Sequence, residues 1–183
     1  MKRLVSVFAL VAALLGQAFG QKTAAFADKP ALITAIGQSA DFEMIKVLMT
    51  RSGIPFVADS LVKAESLDGK SRTLLLVVGA SSKGLGAAGI SADAELARAR
   101  ALLARAKELG LSIITLHVGG TARRGALSDG FIEPCMAASD YAIVVEAGDQ
   151  DGFFTKLAEK GGIALAKVAR ISAAGVPLTA AFK

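Results

Sequence analysis

One cysteine, one histidine, one tyrosine, no tryptophan and four prolines stand among 183 residues. Each scarcity removes a class of protein. A lone Cys135 excludes an intrachain disulfide framework. One His and one Cys cannot build a soft-metal cage, so a structural zinc site is out and no metal or cofactor is expected. Four prolines without a Ser/Gly-rich tract exclude a long stiff linker. A hydrophobic share of 53% with 20% charged residues excludes disorder. The 21 basic residues exceed the 16 acidic ones only mildly. Nucleic-acid binding, which shows a far stronger basic surface, is therefore not expected.

The mean hydropathy of +0.52 owes part of its value to the N-terminus. Lys2 and Arg3 precede an uncharged, mostly apolar run from Leu4 to Leu15, followed by small residues. That run is shorter than the roughly 20 residues of a membrane-spanning helix and reads as a secretory signal. Cleavage is expected after Gly20, or as late as Ala27. No Cys lies near either position, which excludes a lipoprotein anchor. The mature protein is expected in the periplasm or outside the cell, with no membrane contact, as one domain over 28–183. Nothing in the sequence signals an oligomeric state.

Apolar runs alternate with Gly-rich loops and helical stretches. Strands are predicted at Ala31–Ile36, Pro55–Ala58, Thr73–Val78, Leu111–His117, Tyr141–Glu146 and Ile163–Val168. The runs Thr73–Val78 and Ser112–Leu116 are nearly all apolar, as strands buried on both faces of a parallel sheet are. Helices are predicted at Asp41–Arg51, Ala92–Leu109, around Phe131–Ala138, at Phe153–Lys160 and at Val176–Phe182. The second is the best defined: Ser91 is its N-cap, Asp93 and Glu95 lie in the first turn, and Gly110 stops it. Leu96, Ala99, Leu103 and Ala106 mark its inner face, leaving Arg98, Arg100 and Arg105 as a solvated one. The expected fold is a three-layer α/β sandwich around a mostly parallel sheet of five to six strands, flavodoxin-like or Rossmann-like.

In such folds ligands bind beyond the carboxyl ends of the strands. Four polar loops fall there: Gly37–Asp41, Gly79–Gly89, His117–Gly125 and Gly148–Gly152. Their convergence on one rim makes Gln38, Ser39, Asp41, Ser81, Ser82, Lys83, Gly84, Gly86, His117, Gly119, Gly120, Arg123 and Arg124 the candidate ligand-binding residues. The Gly79–Gly89 stretch reads as a long glycine-rich turn ahead of a helix starting near Ser91. Its amides and Lys83 suit an anion; the glycines also suit mere close packing.

Known signatures fail at this stretch. A dinucleotide loop would open a helix at once and find an acidic residue ending the next strand, which ends instead in His117. A phosphate loop needs Lys-Ser/Thr where Leu85-Gly86 stands. Neither Ser81 nor Cys135 sits in a nucleophile motif, and Cys135 reads as a buried small hydrophobe. Arg123 and Arg124 suit a carboxylate or phosphate, or else pair internally with Asp129, Glu133 or Asp140. Asp149 and Asp151 read as helix N-terminal partners rather than cation ligands.

The stretches Gly37-Gln-Ser-Ala-Asp41, Ser82-Lys-Gly-Leu-Gly-Ala-Ala-Gly89, His117-x-Gly-Gly-x-x-Arg-Arg-Gly125 with Ser128-Asp129, and Asp151-Gly-x-Phe154 resemble the marks of an uncharacterised family of exported bacterial α/β proteins, a domain of unknown function. The likeness covers Ala31–Phe182 and implies the fold but no activity. Ala164 stands where the family pattern leads one to expect Pro.

The leading expectation is a binding protein for a small anionic or polar ligand at the rim. One alternative is a hydrolase or transferase using the same rim, with His117 as acid/base and Lys83 and Arg124 stabilising negative charge. The other is a protein-docking module.

Overall fold

The computed structural model describes residues 24–183; the signal segment expected at 1–20 lies outside them. Six strands form one parallel sheet in the order β2-β1-β3-β4-β5-β6. They are β1 (Ala31–Ile36), β2 (Phe56–Ala58), β3 (Thr73–Val78), β4 (Ser112–His117), β5 (Tyr141–Val145) and β6 (Ala164–Val168). The helices are α1 (Asp41–Arg51), α2 (Ser82–Ala87), α3 (Ala92–Glu108), α4 (Ala126–Ala138), α5 (Phe153–Gly161) and α6 (Gly175–Ala181). Of the two strand orders expected, this is the flavodoxin-like one with a sixth strand added. The chain reverses direction across the sheet between β1 and β3, which makes that boundary the topological switch point.

Side chains of a strand alternate between faces, so each central strand feeds two cores. Ile33, Leu75, Ile114 and Ile143 pack on one face against Ile45, Met49 and Leu178 of α1 and α6. Leu74, Leu76, Ile113 and Val144 pack on the other against Leu85, Leu102, Met136 and Phe154 of α2 to α5. β1 and β3 are buried along their whole length, which explains their unbroken apolar sequence. The N-terminal boundary is also packed. Ala27 is fully buried, the Phe26 and Ala27 N–H groups donate to Ala181 O, and the Phe26 ring meets Tyr141 edge-on. The fold thus begins before the later of the two cleavage positions considered above.

Two local expectations are corrected. The Gly79–Gly89 stretch is not an open turn. Ser81 Oγ accepts the Gly84 N–H at 3.0 Å and caps the six-residue α2. Gly84 packs so closely on the first loop that a Cβ there would lie 1.9 Å from Gln38 O. Gly84 and Gly86 had concealed the helix, because glycine disfavours helical backbone unless packing compensates. α4 likewise starts at Ala126, five residues before the expected stretch, and accommodates Pro134 in its interior.

Candidate functional site

The loops following β1, β3, β4 and β5 do meet at one rim. Gln38 and Ala80 form a β-bridge, Ala80 N donates to Ser128 Oγ at 2.9 Å, and Arg123 reaches Ala80 O at 3.4 Å. Thr121 Oγ1 donates to Ala147 O at 2.8 Å and Arg124 to Gly148 O, joining the loops after β4 and β5.

The first loop stands on a buried ion pair contributed by α3. Glu95 Oε1 accepts the Gly37 N–H at 2.8 Å and Gln38 Nε2 at 3.0 Å, while Arg98 Nε donates to Glu95 Oε2 at 2.7 Å. Gln38 Nε2 also donates to Ser60 O at 2.9 Å. These bonds hold Gln38 in the left-handed region, φ 55°, which a side chain larger than glycine enters only when held there. Burial pulls the Glu95 carboxyl up, but the donors Arg98, Gln38 and Gly37 outweigh it and leave it below its ordinary value. Arg98 is not the solvated residue expected of it. It turns inward, its guanidinium donating to Ala35 O and Val62 O. Neither role was visible in the sequence, where Glu95 fits a first helical turn and Arg98 an outer face.

Beyond that support the rim divides into two halves. In the half made by β4 and β5 the expected site residues are consumed by the fold. His117 is fully buried, with Nδ1 3.0 Å from Val78 O and Nε2 3.2 Å from Gly120 O, and its ring lies 4.8 Å from that of Phe154. Burial lowers its pKa, against the pull of those two carbonyls. Arg124 donates to Asp129 Oδ1 at 2.8 Å and to Asp151 at 3.0 Å, and lies 4.4 Å from the Phe153 ring centre. Those two carboxylates raise its pKa, and Arg124 in turn holds Asp151 down at about 2. Asp149 accepts the Phe154 N–H at 2.7 Å and Lys167 at 2.9 Å, fixing the start of α5. A cleft of about 330 Å³ opens here, yet its charged lining residues Arg124, Asp129 and Asp151 already pair with one another.

The half made by β1, β3 and β4 differs. Ser39 is 5% and Asp41 8% exposed, and Ser39 Oγ and Asp41 Oδ2 are the buried side-chain oxygens left without a hydrogen-bond partner among the described residues. Arg123 is the nearest cation, with Nε 3.9 Å from Asp41 Oδ2, beyond hydrogen-bond range, and a side chain 30% exposed. The walls are Gly79 and Gly119. A Cβ on Gly79 would stand 3.4 Å from Ser39 Oγ, 3.5 Å from Asp41 Oδ2 and 3.3 Å from Arg123 Cβ. A Cβ on Gly119 would overlap Arg123 and come within 2.5 Å of Asp41 Oδ2. Ser39, Asp41 and Arg123 thus pack together against the bare backbone of Gly79 and Gly119.

The remaining expected residues fall outside this cluster. Ser81 is spent as the cap of α2, and Gly84 and Gly86 lie inside that helix, so their amides form no anion cradle. Ser82 and Lys83 are exposed, and Lys83 has no partner among the described residues. Gly120 contributes its carbonyl to His117 and Gln38 its amide to Glu95.

A six-stranded parallel α/β protein with its unsatisfied polar groups at the β1/β3 switch point is the class these observations define. The chain belongs to the family described as Domain of unknown function (DUF6305), whose model matches residues 28–182. Among curated proteins none matches it. Solved structures with partial likeness include the psychrotrophic esterase EstA from a Pseudoalteromonas species, in a form inhibited by monoethylphosphonate. It is 14% identical with a TM-score of 0.36, over 75% of this chain and 76% of that one. A GDSL-like lipase from Bacteroides thetaiotaomicron is 8% identical with a TM-score of 0.34, over 75% of this chain and 66% of that one.

Proposed function

We propose that this is an exported binding protein that takes a small polar ligand at the β1/β3 switch point, between Ser39, Asp41 and Arg123. The observation that carries the reading is the pair of buried, unpartnered oxygens, Ser39 Oγ and Asp41 Oδ2. A buried carboxylate or hydroxyl left unsatisfied is costly, on the order of 1–3 kcal/mol, and such groups persist where a ligand completes them. The Glu95–Arg98 pair supplies the rigid support that a preorganised site needs. Bare backbone at Gly79 and Gly119 is what lets Ser39, Asp41 and Arg123 come together there, since a Cβ on Gly119 would overlap Arg123. An enzymatic role for His117 finds no support, because its ring is sealed beneath Gly148 and faces two carbonyls rather than the rim space.

The test is a thermal-shift screen of the chain against small carboxylates, phosphates, amino acids, sugars and divalent ions. A hit should raise the melting temperature of the parent and of Lys83→Ala, and the rise should vanish in Asp41→Asn and in Ser39→Ala. A hit that survives both of the latter substitutions would place the binding elsewhere and end this reading.

A further inference from the structure

The charge arrangement at the switch point narrows the ligand further, on the premise that the preceding reading is right. Asp41 and Arg123 bring one negative and one positive group to the same space, with 3.9 Å between Oδ2 and Nε. Arg124, one residue on, closes on its carboxylates at 2.8 to 3.2 Å. The Asp41–Arg123 pair stands open by comparison, and Arg123 has the exposure to swing. A simple anion drawn to Arg123 would have to lie beside the buried, unpartnered Asp41 oxygen, and a simple cation drawn to Asp41 would lie beside Arg123. Like-charge contacts of that kind are poorly screened away from water. A molecule carrying both signs meets neither penalty.

The dimensions agree. From ordinary bond lengths an ammonium nitrogen and a carboxylate oxygen on the same carbon skeleton of an α-amino acid lie about 3 Å apart. Admitting that unit requires Arg123, whose Cβ and Cγ lie against Gly79 and Gly119, to turn outward. Ser39 Oγ, beside Asp41 Oδ2 around the same Gly79 wall, gives the ammonium a second acceptor.

We infer that the ligand is a free α-amino acid, its ammonium bound by Asp41 and Ser39 and its carboxylate by Arg123. This can be tested by isothermal titration of the full chain with glycine, L-alanine and L-serine, with acetate and ethylamine as single-charge controls and inorganic phosphate as a dianion. At least one amino acid should bind about 10- to 100-fold more tightly than acetate or ethylamine, the span expected of one lost charged hydrogen bond. Asp41→Asn should erase most of that preference over acetate, and Arg123→Gln most of the preference over ethylamine. Tighter binding of acetate or phosphate than of every amino acid, lost in Arg123→Gln, would overturn the inference and leave the site standing. Amino-acid binding untouched by both substitutions, or no binding by any probe, would overturn the inference and the site together.

Discussion

Arg123 and Arg124 are adjacent in the chain and stand on the same loop, yet they have opposite fates. Arg124 is clamped by Asp129, Asp151 and Gly148 O and covers the Phe153 ring. Arg123 has one long contact to Ala80 O and an open approach to Asp41. Around Arg124 every donor has an acceptor, as buried structural networks require. Around Arg123 two buried oxygens have none. One half of the rim is therefore closed by its own hydrogen bonds, and the other keeps two buried oxygens without partners. A charged residue at a strand end says nothing about which half it belongs to; the inventory of its partners does.

The contrast can be strained most severely from below. Glu95→Ala would leave Arg98 charged and buried without its partner, and release Gly37 and Gln38 together. Loss of one member of a buried pair costs about 3–5 kcal/mol, and chemical denaturation should show a drop of that order. Arg124→Ala should follow at about 2–3 kcal/mol, less because its site is partly solvated. If Arg124→Ala left the denaturation midpoint unchanged, the satisfied half would not be the structural one.

Acidity offers a cleaner probe, since His117 is the only histidine in the chain. Its folded pKa lies below the ordinary value of 6.5. Near and below pH 6.5 the unfolded chain takes up a proton that the folded protein refuses, so stability is complete above that pH and falls as the pH drops towards the folded value. The melting temperature should decline between about pH 7.5 and about pH 5.5, a window above the titration of the carboxylates. The slope should disappear in His117→Gln. A stability that rises on acidification over that window would mean the ring is charged in the fold.

The smallest effects are expected in the open half. Ser39→Ala removes an unpartnered hydroxyl, so it should cost no stability and should gain up to about 1 kcal/mol. Asp41→Asn gives up a favourable charge at the first turn of α1 but relieves an unpaired buried oxygen, for a net change under about 1 kcal/mol. Urea unfolding of both variants measures this directly. A large loss in either would show that these side chains serve the fold rather than a ligand.

Much of this was legible in the sequence. The nearly all-apolar runs at β3 and β4 announced strands buried on both faces, and the Ser91 cap with Gly110 framed α3 closely. The resemblance to an uncharacterised domain of unknown function agrees with the family match over 28–182. Within the rim, Gln38, Ser39, Asp41 and Arg123 were among the expected residues, while Glu95 and Arg98 were not. Their signal was hidden because a glutamate in a first turn and an arginine three residues later are also what an ordinary surface helix carries.

Hydrophobic periodicity is local, since whether a side chain faces inward depends on its own strand or helix, and so the layers and the polar rim at the strand ends were set by the sequence alone. Satisfaction of a polar group is not local. Glu95 meets Gly37 across 58 positions, and Arg124 meets Asp151 across 27. Only the closed sheet, by choosing which loops touch, decided that Arg124 and His117 would be spent on the fold and that Ser39, Asp41 and Arg123 would be left with bonds to give.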